Sequence, residues 1–352
     1  MKKYLLVAFF SVIVGTAFSQ CRYFIDSLST KVKTEQSAYN RAIDYFLISE
    51  EWATSDTTRS LPFWRKALQE SKSITNAEEK IRFKEKEFYH YYNQLTASSH
   101  TYGYSSPETK RLLHELDSLT KNNAKLRPNF NIVWGIYMTH NHKECDSSHQ
   151  AIVKAFEDAM HAIGNSDNDE LVRAYTGLIG FYYLDNQRDK ILETSKIADT
   201  IINKLIPRFR GKYFHYLGLV LHHSEYDSKA YIEYKKALES DLLCRDSINI
   251  AGLTINLSGR SYDVTPEETK NGLLKGIGIL ERNLSVNPKK AHQNMSSAYT
   301  SLAEYYASKN DTVNCLQSFR TSLYHNNQAG NAYNEPLVLG NMGNAYADFG
   351  YQ

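Results

Sequence analysis

An all-α fold, a solenoid of antiparallel helix hairpins, is predicted by three observations. The 352 residues include only 7 prolines and 17 glycines. Apolar residues recur at three- and four-residue spacing over long stretches, whereas the alternation expected of strands is almost absent. Helix-start signals divide the chain into pairs of roughly 40 residues, and one helix pair cannot bury its apolar face without a neighbour.

The elements follow in order. Met1-Lys2-Lys3, the apolar run Leu5 to Val14, and the small residues around Ala17 and Ser19 have the layout of a signal peptide over 1–19. That run is too short for a bilayer core, which needs roughly 20 apolar residues. Ala17 and Ser19 suit the cleavage pocket, so the mature chain is expected to begin at Gln20 and to be periplasmic or extracellular. Cys21 invites a lipid anchor, which the bulky, polar Gln20 argues against.

Helix pairs are then expected at 24–50 with 56–75, 78–98 with 106–122, 129–141 with 146–163, 167–185 with 188–206, 210–223 with 227–243, 246–262 with 265–285 and 293–309 with 311–326. A last helix at 334–350 is unpaired, for about seven and a half units in all. Asn76 to Glu79, Asp167 to Glu170 and Thr265 to Glu268 each place a short polar cap three residues before a Glu. Pro107 and Pro266 fall at first helical positions, where a missing N–H costs nothing. Leu112, Leu116 and Leu119 share one face, as do Leu273, Ile277 and Leu280.

With Lys2 and Lys3 removed, Lys+Arg falls from 41 to 39, equal to the 39 Asp+Glu. Such a balance provides no electrostatic footprint for nucleic acid. No apolar run after Gln20 approaches spanning length, so no membrane insertion of the mature segment is expected. Cys21, Cys145, Cys244 and Cys315 are too scattered for a dense disulfide framework.

Four units carry a recurring pattern of aromatic, Leu, small residue and aromatic. They are Tyr175, Leu178, Tyr182 and Ala198; Phe214, Leu217, Gly218, Ala230, Tyr234 and Ala237; Tyr299, Leu302, Ala303, Tyr306, Cys315 and Phe319; and Leu339, Met342, Gly343, Tyr346 and Gly350. Small residues such as Gly218 and Gly343 would let helices approach while the aromatics fill the gaps. The pattern resembles that of the tetratricopeptide repeat family. The resemblance is carried by residues 166–352, apart from the pair at 246–285, where Gly272 and Gly276 interrupt the second helix. Over 20–165 it rests on helix length and pairing, so that stretch is read as irregular hairpins of the same kind. Gln352 follows the first helix of the last unit, so that unit is incomplete and the sequence reads as a fragment or a truncated product.

The resemblance implies a right-handed superhelical solenoid with a concave groove that is lined by the first helix of each pair and binds a protein or peptide. Carried over by position, its lining is Arg173, Tyr183, Lys212, His215, His222, Glu304 and Asn344. Of the family's carboxylate-clamp positions only Asn344 is kept, so a free C-terminus is not the implied ligand. His140, His142, Cys145 and His149 crowd a predicted turn, but their spacing matches no closed zinc module, and neither metal nor cofactor is expected. No activated nucleophile, phosphate-cradling loop or carboxylate pair in motif context is found, and Glu78-Glu79 and Glu267-Glu268 read as helix-cap charges. The expectation is a non-enzymatic exported scaffold. The alternative is the extracytoplasmic sensory region of a membrane histidine kinase or transcriptional regulator.

Overall fold

The computed structural model describes residues 22–53, 57–98, 106–141, 149–164, 168–244, 246–258, 265–330 and 334–350. The signal peptide expected over 1–19, together with Cys21, His142, Cys145 and the expected cap Asp167, lies outside them. Among the described residues the protein is all helix, with no strand, and its sixteen helices pack in neighbouring pairs as an all-α repeat. No helix among them is long and apolar enough to cross a membrane.

The chain divides into two compact units, Met1–Tyr226 and Asp227–Gln352. The first unit holds α1 (Arg22–Lys31), α2 (Ala38–Ala53), α3 (Thr57–Ser71), α4 (Ala77–Ser98), α5 (Pro107–Thr120), α6 (Arg127–Asn141), α7 (His149–Ile163), α8 (Asn168–Leu184), α9 (Arg188–Ile202) and α10 (Pro207–His223). Here α2 pairs with α3, α4 with α5, α6 with α7 and α8 with α9. The first members, α2, α4, α6, α8 and α10, also touch one another in succession and form an inner row.

The helix starts are held as their sequences require. Asn76 accepts a hydrogen bond from the Glu79 N–H at 3.1 Å, and Ser106 accepts from Thr109 N–H at 3.1 Å just ahead of Pro107. The single helix expected over 24–50 is broken after Lys31, where Ser37 restarts it by accepting from Asn40 N–H at 3.2 Å. Leu112 and Leu116 are buried as their spacing implies, but Leu119, near the end of α5, is exposed.

The second unit holds α11 (Asp227–Cys244), α12 (Ser247–Ser258), α13 (Pro266–Arg282), α14 (Pro288–Ser308), α15 (Thr312–Gln328) and α16 (Glu335–Asp348). Helix α13 opens on a full capping box, with the Thr265 side chain accepting from Glu268 N–H and Glu268 accepting from Thr265 N–H. Helix α14 starts earlier than residue 293 because Asn287 caps Lys290 N–H at 3.1 Å and Pro288 takes the first position. Leu273, Ile277 and Leu280 share one core with Ile248, Ala251, Ile255, Met295 and Leu302, while Ala303, Cys315, Phe319, Val338 and Ala345 form another.

Close approach explains the mid-helix glycines. A Cβ on Gly276 would stand 2.5 Å from Ile255, so only glycine lets α13 settle on α12. A Cβ on Gly343 would meet nothing within 4 Å, so close approach is not the reason for that residue.

A comparable fit lies in the first unit, where the fully buried Phe156 ring of α7 is wedged between two glycines. A Cβ on Gly135 of α6 or on Gly177 of α8 would stand 2.7 Å from that ring. Gly177→Ala is therefore expected to cost about 1–3 kcal/mol by overpacking and Phe156→Ala about 3–5 kcal/mol by leaving a cavity. Urea unfolding should show both as lowered midpoints at an unchanged slope.

Candidate functional site

The inner row of the first unit carries charge where a helix facing water on one side would not. Helix α10 is buried nearly all round, from Arg208 and Phe209 through Lys212, Tyr213, Phe214 and His215 to Leu221. Arg208, Lys212 and His215 recur at i, i+4 and i+7 on one face of that helix. A basic stripe on so enclosed a helix can be satisfied only by other side chains.

Those partners come from α2, where Glu50 and Glu51 follow the buried Phe46 and Ile48. Arg208 Nε donates to Glu51 Oε1 at 2.7 Å, and Lys212 Nζ lies 3.0 Å from the same oxygen. Arg173 Nη2 of α8 donates to Glu50 Oε1 at 2.7 Å, and its Nε reaches Asp169 Oδ2 at 3.1 Å. Lys86 of α4 pairs with Glu170 and lies 3.5 Å from Asp169. Tyr89 donates its hydroxyl to Glu170 at 3.0 Å, and the Arg173 guanidinium lies 4.2 Å from the Tyr89 ring centre. The Glu51 and Glu170 side chains are fully buried, and Arg208 is 1% exposed.

The charges respond as this enclosure requires. Burial alone would raise Asp169, but Arg173, Lys86, Arg208 and Lys212 outweigh it and hold the carboxyl below its usual range. Burial works against the charged form of Arg173 too, and Asp169 and Glu50 reverse that and hold the guanidinium more firmly protonated.

Glu85 of α4 behaves oppositely. Burial and then the nearby Glu170 push its carboxyl well above the usual range, and Lys86, Arg82 and the hydrogen bond from Asn129 at 3.2 Å offset only part of this. Its Oε1 is buried with no hydrogen-bond partner. Glu85 adds a fifth carboxyl to the group that holds Lys86, Arg173, Arg208 and Lys212, and its burial favours the neutral form. Buried charges paired in this way are suited to holding helices at fixed separations.

The seven groove positions separate into two sets. In the first unit, Arg173 and Lys212 belong to this network and His215 is buried beside Lys212 on α10. Tyr183 is buried at the end of α8, where burial raises its hydroxyl, and His222 is half-buried with its ring 5.1 Å from that of His223. In the second unit, Glu304 of α14 and Asn344 of α16 are exposed.

Glu50, Glu51, Glu85, Lys86, Asp169, Glu170 and Arg208 were not expected at this face. The readable signal is Arg208 and Lys212 at i, i+4 on a helix whose remaining residues are almost all apolar or aromatic.

Of the histidine cluster, His140 Nδ1 lies 2.8 Å from the Tyr92 hydroxyl, and His149 Nε2 lies 3.0 Å from Asp185 Oδ1. Among the described residues no group of three or more His, Cys, Asp or Glu could hold a metal ion. Cys244 and Cys315 are buried.

A raised folded-state pKa means that Glu85 contributes stability in full below its unfolded value of about 4.3 and loses it as pH rises through the folded value. Glu85→Gln keeps the shape and removes that loss. The variant should gain stability over the native chain progressively as pH rises above about 4, measured by urea unfolding at a series of pH values. Compared with models of known protein families and with curated protein sequences, the chain matches none.

Proposed function

We propose that this chain is an exported, non-catalytic scaffold of the tetratricopeptide class, whose helix pairs follow a right-handed superhelical path and present their inner faces to a protein or peptide partner. The observation that carries the reading is the inner row of the first unit, where first helices pack on one another in sequence and second helices lie behind them. The motif residues support it. Tyr175, Leu178, Ala198, Phe214, Leu217, Ala230, Tyr234 and Ala237 are buried, as are Leu302, Ala303, Cys315 and Phe319. Leu339 departs from the pattern, being 48% exposed on α16.

A binding test cannot begin at Arg173 or Lys212, since reversing either would leave Glu50 or Glu51 buried without its counter-charge. It begins at the exposed inner-helix positions of the second unit. The mature chain immobilised on resin is expected to retain a specific envelope protein. Glu304→Lys combined with Asn344→Lys should reduce retention at least about fivefold at an unchanged melting temperature, as expected of substitutions within a contact. Equal retention by a folded double variant would contradict binding through this face.

A further inference from the structure

We propose that His292 and His325 form an acid-sensitive latch in the second unit, which closes the open end of the α14–α15 hairpin at neutral pH and lets the last turns of α15 part from α14 in acid. The latch belongs to the fold itself and stands whether or not the scaffold reading does.

Helices α14 and α15 run antiparallel about the turn at 309–311, so His292 near the start of α14 meets His325 near the end of α15 at the end away from that turn. Their Nδ1 atoms lie 2.8 Å apart and their ring centres 5.1 Å, so the two nitrogens face each other nearly head-on. The His325 ring is stacked on Tyr299 at 5.5 Å and meets the edge of Tyr324 at 5.1 Å. Polar contacts close the rest of this half of the hairpin. The buried Ser322 hydroxyl donates to the Ser296 carbonyl at 2.8 Å and lies 2.8 Å from the Thr300 hydroxyl. Apolar contact gathers nearer the turn instead, where Ala303, Cys315 and Phe319 pack with Val338 and Ala345 of α16. The open end thus depends on the imidazoles in a way that the turn end does not.

The contact tolerates one added proton and not two. In the neutral pair one imidazole donates and the other accepts, and a first proton taken up at an Nε2 leaves that bond in place. A second makes both Nδ1 atoms donors, and two N–H groups cannot face each other at 2.8 Å. Burial depresses His292, and burial followed by the charge of His292 depresses His325 to about 4, with no acidic group offsetting either. Of the helices packed around the pair, α12 carries no charged residue, α13 brings Glu281, which acts on the Tyr299 hydroxyl instead, and α16 carries only Glu335 and Asp348. On the pair's own helices Lys289, Glu304 and Arg320 are exposed, and Lys290 donates to Asn249 of α12 at 2.7 Å. A folded-state pKa below the unfolded value of about 6.5 means that the latch contributes in full above that value and is lost as pH falls toward about 4.

Hydrogen exchange on the full chain at about pH 7.5 and about pH 5, with each rate corrected for its intrinsic dependence on pH, tests this. Amides in the last turns of α15 should lose protection at least about tenfold at the lower pH, as expected of an imidazole that titrates at about 6.5 when released and about 4 when latched. Those of α12 and α13 should keep theirs. His292→Asn with His325→Asn leaves a short polar group on each helix and removes the proton uptake, so its α15 should lose less than about twofold. Unchanged protection of α15 in the native chain, a loss spread evenly over α12 to α15, or an equal loss in the folded double variant overturns the proposal. Should that variant not fold, His325→Asn alone decides the matter, since the remaining imidazole has no second one to oppose, and an equal loss there overturns it too. The measurement reads exchange and not binding, so its outcome leaves the scaffold reading to its own test.

Discussion

Charge that cannot reach water must be answered by other charge, and in the first unit that requirement joins helices far apart in sequence. Glu51 and Arg208 are separated by 157 residues, Glu50 and Arg173 by 123, and Lys86 and Glu170 by 84. Neighbouring helix pairs in a repeat array are held by local contacts and can in principle curve freely. These ion pairs instead connect the first inner helix to the fourth and fifth, and the second to the fourth, and so set the spacing across the inner row. Contacts of such long sequence separation are expected to form late in folding, after the pairs they connect.

The apolar packing answers a different requirement, that of volume. Phe156 fills the space that Gly135 and Gly177 leave, and Ile255 does the same against Gly276. Each fit matches a large side chain on one helix to a missing one on the next, which lets backbones approach without voids. Such contacts locate adjacent helices but say nothing about helices three pairs away. The ionic network carries that information.

The helices were largely legible because their starts depend on local chemistry. Asn76, Ser106 and Thr265 mark the boundaries that the structure shows, each satisfying a backbone N–H three residues on. The break at 32–37 was harder to read, because the apolar spacing runs on through the turn and only Ser37 signals the restart. Asn287-Pro288 was a legible start that spacing alone placed too late. The candidate site was half legible. Arg173, Lys212 and His215 were placed on the inner face by position, but whether that face meets water or another helix depends on long-range packing. Glu50 and Glu51 sit at the end of an ordinary amphipathic helix, and no feature of α2 itself reveals that Arg173 and Arg208 lie opposite.

The central claim is that Glu51 and Arg208 matter as a pair and not as two separate charges. A double-mutant cycle of Glu51→Leu and Arg208→Met, followed by urea unfolding, tests it most directly. Each single change should cost about 3–5 kcal/mol by stranding its partner, and the double change should cost less than their sum by at least about 2 kcal/mol. Additive costs would contradict the account, showing that the two side chains are held independently.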